Sequence, residues 1–186
     1  KGFKMKKLML GLVMSSVFCA GAAQAEYQPD MSAVLNISGT VKSAASACTV
    51  VPSETAVSLP ARDVKALPSQ DASLPTATTV TFRVTGDQGC TDKIKANQIG
   101  VKFVGTADDA NGISLANDEA GDNAAKGVGI GLYNYQNGNA PFKINTDYMV
   151  VNEMTNSFGM SLVQLNGETP EAGSVHGSLT LEVVRL

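Results

Sequence analysis

Two cysteines and a single histidine are the residues of this chain with the most chemistry to offer, and their spacing limits what that chemistry is. Cys48 and Cys90 form an even pair, which in an exported chain reads as a disulfide. Closing a loop of about 40 residues would contribute about 4 kcal/mol on the chain-entropy account, whose mechanism is disputed. Two buried free thiols are the alternative. His176 is the only histidine, so it has no second imidazole for a metal site or a catalytic triad, and it reads as a surface or edge residue. The same count excludes copper-zinc superoxide dismutase chemistry, which needs several histidines. Asp108, Asp109, Asp118, Glu119 and Asp122 crowd one segment. Their spacing does not meet the calcium-loop pattern, and a solvated acidic loop is the reading. Asn36-Ile37-Ser38 fits a glycosylation sequon of the kind that short patterns produce by chance. The sequence has no glycine-rich phosphate loop, no cysteine cluster and no nucleophile elbow. The expectation is therefore a protein that is not an enzyme, with no catalytic residues, no metal, no cofactor and no small-molecule substrate.

The chain of 186 residues is 44% hydrophobic and 17% charged, enough for one packed domain and too ordinary in composition for disorder. Residues 1–25 have a three-part layout: Lys4, Lys6 and Lys7, then an apolar run from Leu8 to Cys19, then the small residues ending Ala23-Gln24-Ala25. That is a secretory signal, and its apolar run falls short of the roughly 20 residues of a membrane span. Met5 is the first plausible start, and cleavage is expected near Glu26. A lipid anchor on Cys19 is the competing reading, opposed by the bulky Phe18 before it. Removing residues 1–25 takes four of the 14 basic residues and none of the 17 acidic ones, leaving a net charge of −7. Such a balance argues against nucleic acid or an anionic membrane as partner, since both need a basic footprint.

Positioning these residues falls to strands. Thr78–Thr85 alternates Val80, Phe82 and Val84 with Thr81, Arg83 and Thr85, and Ile99–Val104 repeats the pattern. Val128–Tyr135, Phe142–Ile144 and Ser157–Leu165 read as further strands. In Gly173–Leu186 the residues Val175, Gly177, Leu179, Leu181 and Val183 share one face. A first strand is expected to run through Thr40–Val51 and to hold Cys48, which Cys90 would tie to the end of the Thr78–Thr85 strand. Pro52, Pro60, Pro68 and Pro75 leave room only for loops and short edge strands such as Ala56–Leu59. The acidic segment 106–126 reads as loop, with a short strand possible at Ile113–Leu115. No segment holds a 3.6-residue period over three turns. Strands about every ten residues, joined by Gly, Pro, Asn and Asp, predict an all-β sandwich.

Ahead of that body, Met31, Ala33, Leu35, Ile37, Gly39 and Val41 share one face of an eleven-residue stretch, with Ser32, Asn36, Ser38 and Thr40 on the other and Val34 as the only apolar intruder there. A period of two describes a strand with one face meant for burial. It lies next to the expected cleavage point, where a strand needs a special reason to be held down. On pattern alone it is either the first strand of its own domain or a strand for another copy. Gly39 marks a place where another backbone or a bulky neighbour comes close.

The order of these features resembles the pilin subunits of chaperone-usher fimbriae over essentially the whole mature chain. The features are a signal peptide, an alternating extension with a glycine, a cysteine on the first strand, a second about forty residues later and an alternating last strand. NISGTVKSAASAC, GVGIGLYN and the place of Gly173 near the carboxyl end add to the likeness. Arg185 stands where such pilins commonly have a penultimate tyrosine, a departure at the chaperone contacts that the resemblance implies for the last strand. The resemblance implies an incomplete immunoglobulin-like β-sandwich lacking its last strand. It divides the chain into a signal peptide (1–25), an amino-terminal donor-strand extension (26–41) and a pilin domain (42–186). It also implies a groove beside Gly173, Val175, Gly177, Leu179, Leu181, Val183 and Arg185. A periodic row Met31, Leu35, Ile37 and Val41, at roughly 1.5–3 kcal/mol each, would contribute about 6 to 12 kcal/mol there before ordering costs. The implied partners are other pilin subunits joined head to tail, a periplasmic chaperone and an outer-membrane usher. The implied destination, through the periplasm, is a cell-surface fimbria that supports adhesion. Two other classes stay open: a receptor-binding minor or tip adhesin, and a self-contained secreted immunoglobulin-like binding module. Two-domain tip adhesins carry a lectin domain ahead of the pilin domain, and the 161 residues left when 25 are taken from 186 give it no room.

Overall fold

A computed structural model describes residues 47–186. The expected signal peptide, the extension with Met31, Ala33, Leu35, Ile37, Gly39 and Val41, and the part of the first strand before Ala47 lie outside the described residues. Eight strands and one α-helix follow in chain order: β1 (Cys48–Pro52), β2 (Thr78–Gly86), α1 (Gln88–Lys95), β3 (Ile99–Gly105), β4 (Val128–Asn134), β5 (Ala140–Pro141), β6 (Tyr148–Val150), β7 (Asn156–Gln164) and β8 (Leu179–Arg185). They form two antiparallel sheets, one in the order β1-β2-β7-β4-β5 and one in the order β6-β3-β8.

The alternation read from the sequence is what joins the sheets. From the larger sheet Val80, Phe82, Leu132 and Phe158 turn inward, and from the smaller one Ile99, Val101, Phe103 and Met149 meet them in one buried cluster. Apart from the buried Gly100, residues opposite these along each strand are exposed or half-buried, as Thr79, Thr81, Lys102 and Tyr148 are. β4 and β7 are the exception. Six of the seven residues of β4 and six of the nine of β7 are buried, and Pro68–Gln70 continues the sheet beside β7 past the end of β2, with hydrogen bonds to Gln164 in both directions. A strand covered on both faces loses its polar alternation, which is why GVGIGLYN carries four apolar residues and three glycines.

Several expectations need correcting. Gln88–Lys95 is a helix. It is only two turns long, too short to display a period over three, and it rests on a local device: Asp87 accepts a hydrogen bond from Cys90 N at 2.8 Å and caps the amino end. Cys90 and Ile94, four apart, bury its one apolar stripe. The three-residue β6 did not stand out in the sequence. Phe142–Ile144 lies just beyond the two-residue β5 rather than in a strand, and Leu115 makes only isolated bridges, to Ala107 and Ile130. Ala56–Leu59 is not a strand. The last ladder starts at Leu179, because residues 173–178 run beside a loop instead of beside β3.

Candidate functional site

β8 is the edge of its sheet. It pairs with β3 from Leu179 opposite Gly105 to Arg185 opposite Ile99. In an antiparallel ladder, opposed pairs alternate between those that exchange hydrogen bonds and those whose N–H and C=O point away. Leu186 N donates to Gln98 O at 3.0 Å, which fixes the phase: residues 180, 182 and 184 bond to β3. Val151 N donates to Ile99 O at 3.1 Å, so Ile99 spends its backbone on β6, as the same phase requires.

Ahead of β8 the phase continues against a different neighbour. Ser174 N donates to Asn123 O at 2.7 Å, and Ala125 N and Asp118 N donate to Ser174 O and His176 O, each at 2.9 Å. His176 N donates to Asn117 Oδ1 at 2.9 Å. Ser174 and His176 are thus committed to loop 117–125, and the even residues from Thr180 onward to β3. The odd residues Val175, Gly177, Leu179, Leu181 and Val183 turn their N–H and C=O to the other edge, which has no strand partner among the described residues. Their side chains point inward yet are only half-buried, whereas Ile99, Val101 and Phe103 on the neighbouring strand are fully enclosed.

Below that edge lies an open groove of about 810 Å³. One wall is Gly173 and residues 175–179 with Leu181, the other Glu54 to Leu59, and the floor is Val80, Ile130, Phe158, Met160 and Leu162. Residues 54–59 make no backbone hydrogen bond among the described residues. Val57 and Leu59 nevertheless turn inward against the core. The groove is therefore an apolar trough between two strand-like walls whose facing backbones are unpaired among the described residues. Such a site suits an extended chain with alternating apolar side chains, which would satisfy the edge and fill the trough at once.

Glycine is required at Gly173. A Cβ on Gly173 would lie 2.6 Å from the carbonyl carbon of Ala124, inside the backbone of 123–125. Gly177 lets the Ile130 Cδ1 methyl rise beside it, where a Cβ would sit 2.9 Å away. His176, on the same wall, pairs through Nδ1 with Asp118 Oδ1. The hydrogen bond to Asp118 raises its pKa above the usual histidine value, helped by the charges of Asp118 and Glu119.

Of the residues singled out from the sequence, Gly173, Val175, Gly177, Leu179 and Leu181 come together on the groove. Val183 continues their row past its end. Arg185 ends that row exposed at the end of β8, and its charge reaches Asp87. Cys48 and Cys90 are joined as a disulfide, Cα to Cα 5.4 Å, linking β1 to α1. The second wall and the floor were not foreseen. The alternation of Val57 and Leu59 was the signal for the wall, whereas the floor needs the register of β2, β7 and β4.

A two-sheet immunoglobulin-like sandwich whose last strand, among the described residues, is an open edge above an apolar trough is the architecture of a pilin domain. The family described as fimbrial protein matches residues 35–184, and the chain belongs to that family. Its fold is similar to the crystal structure of the P pilus rod subunit PapA, with a TM-score of 0.54 at 9% identity, covering 83% of this chain and all of that one. A chaperone-usher pilus solved for the basis of rod uncoiling is also similar, with a TM-score of 0.48 at 12% identity over 85% of this chain and 98% of that one. No curated protein matches the sequence.

Proposed function

We propose that this chain is a structural subunit of a bacterial fimbria, without catalysis, that polymerises by donor-strand exchange. The observation that carries the reading is the edge at Val175–Val183, unpaired among the described residues, above the apolar groove. Residues 175–183 extend over roughly 30 Å at about 3.3 Å per residue, and the eleven residues Met31–Val41 reach roughly 36 Å, so one extension covers the whole edge. Residues 26–41 of one copy pair with this edge in the next, placing Met31, Ala33, Leu35, Ile37, Gly39 and Val41 over the groove. Because donor and acceptor are different surfaces, the contact is head to tail and propagates as an open filament. Residues 1–25 direct export to the periplasm. There a chaperone holds the same edge until an outer-membrane usher passes the subunit into a cell-surface fimbria that supports adhesion. Among the described residues no helix is long and apolar enough to cross a membrane.

The test uses a chain lacking residues 26–41 and a synthetic peptide of those residues. The shortened protein is expected to bind the peptide saturably and to be stabilised by it, and to fail to extend a growing fibre. Normal assembly of the shortened protein would overturn the proposal.

A further inference from the structure

We propose that Asn137 is a site of spontaneous covalent modification, converting to aspartate and isoaspartate through a succinimide, while two chemically identical sites in the same chain are held back. The sequence contains three Asn-Gly pairs: Asn111-Gly112, Asn137-Gly138 and Asn166-Gly167. Each glycine has a positive φ, of 71°, 59° and 77°. Each asparagine is exposed, so solvent access does not distinguish them. In each pair the glycine nitrogen has no neighbouring Cβ to screen it.

Hydrogen bonding does distinguish them. The Asn111 side chain accepts from Gln70 Nε2 and from Ile113 N at 3.2 Å, and donates to Asp71 Oδ1 at 3.3 Å. Gly112 N, its would-be nucleophile, is turned to Asp108 Oδ1 at 3.3 Å. The Asn166 side chain donates to Asp71 Oδ2 and accepts from Ser69 Oγ at 3.3 Å. One carboxylate, Asp71, thus holds both amides. Asn137 has neither restraint. It opens a turn in which Ala140 N donates to Asn137 O at 3.0 Å and Gly138 and Asn139 have φ of 59° and 56°, the type I′ geometry. Its side chain and the Gly138 N–H have no hydrogen-bond partner among the described residues.

The reaction needs only water. The Gly138 amide nitrogen loses its proton and attacks Asn137 Cγ; the new C–N bond closes the five-membered ring as ammonia leaves. Water then opens the ring at either carbonyl, giving aspartate or isoaspartate. Either product adds a negative charge to the exposed tip between β4 and β5, and the isoaspartate also lengthens the backbone at the mouth of the turn.

The experiment incubates the full chain in mildly alkaline buffer and follows the three sites by peptide mapping with mass spectrometry and isoaspartate chromatography. Asn137 is expected to convert at least on the order of tenfold faster than Asn111 or Asn166, since those must first break two or more hydrogen bonds. Asp71→Ala is expected to accelerate Asn111 and Asn166 and leave Asn137 unchanged, and Asn137→Gln to abolish the dominant product. Equal rates at the three sites, an intact Asn137, or no acceleration in Asp71→Ala would each overturn the proposal.

Discussion

Phe103 of β3 and Phe158 of β7 meet across the sandwich with ring centroids 4.8 Å apart and planes inclined at 58°. Phe142 packs on Phe103 at 4.7 Å, and Phe82 on Phe158 at 6.1 Å, so four rings join the two sheets in the tilted arrangements that aromatic quadrupoles favour. Phe158 is also part of the groove floor, which couples core stability to the shape of the site. Phe158→Ala is expected to cost about 3–5 kcal/mol. The measurement is a urea titration followed by circular dichroism: the midpoint should fall while the slope stays constant. A loss below about 1 kcal/mol would mean that the ring cluster does not join the sheets as described.

Asp87 ties three parts of the chain at one point. Its Oδ2 accepts from Ala47 N at 3.0 Å and its Oδ1 from Cys90 N at 2.8 Å, beside the disulfide. These backbone N–H groups, Ala47 first and then Cys90, hold its pKa below the ordinary 3.8, with Gly89 N–H and the charge of Arg185 assisting. A carboxyl depressed in the folded state stabilises the fold fully above its unfolded pKa and loses that contribution as pH falls through the folded value. The acid limb of a stability-against-pH curve should therefore drop below 3.8. Asp87→Asn keeps a capping oxygen but not the charge, and is expected to flatten that limb and lower stability at neutral pH. An unchanged acid limb in the variant would assign the drop to other carboxylates.

What the sequence disclosed follows from how each element is buried. Strands with one face in the core, such as Thr78–Gly86, show their alternation directly, and so does the row Val175 to Val183 that edges the groove. The alternation does not tell which neighbour a strand pairs with. Residues 173–178 carry the same pattern as β8, yet they lean on loop 117–125, whose hydrogen bonds come from Asn117, Asn123 and Ala125 and leave no periodic trace. The helix at Gln88–Lys95 was hidden because a cap and a disulfide, not a long apolar stripe, hold it. The floor of the groove draws Val80, Phe158 and Ile130 from three strands that are neighbours only once the sheet is folded.

His176 lies on the segment that forms one groove wall, and its pair with Asp118 supplements the backbone bonds that fasten this segment to loop 117–125. Its pKa is raised, chiefly by the Asp118 hydrogen bond. A histidine raised in the folded state gives its full contribution below the unfolded value of 6.5 and loses it as pH rises through the higher folded value. The amide of Asp118, which donates to His176 O, is expected to exchange with solvent relatively faster above that range, after correction for intrinsic rates. In His176→Gln this pH dependence should vanish. Both groups are exposed, so the global unfolding midpoint should move little, and a large shift would point to a different titrating group.

Leu181 and Thr180 are neighbours on β8 with opposite fates, the first half-buried over the groove and the second exposed on the outer face. They bear in opposite ways on a strand seated in the groove. Leu181 offers apolar surface that such a strand would cover. The Thr180 backbone belongs to the β3 ladder, and its side chain faces away. With a peptide of residues 26–41 titrated against a chain lacking them, Leu181→Ala is expected to weaken binding by about 1.5 kcal/mol, roughly tenfold. Thr180→Ala should change it by less than about 0.5 kcal/mol. Urea midpoints measured on the same two variants without peptide separate a damaged fold from a damaged site. If the two substitutions weaken the peptide equally, the occupant does not lie over the Val175–Val183 row, and the unpaired edge of β8 serves something other than an incoming strand.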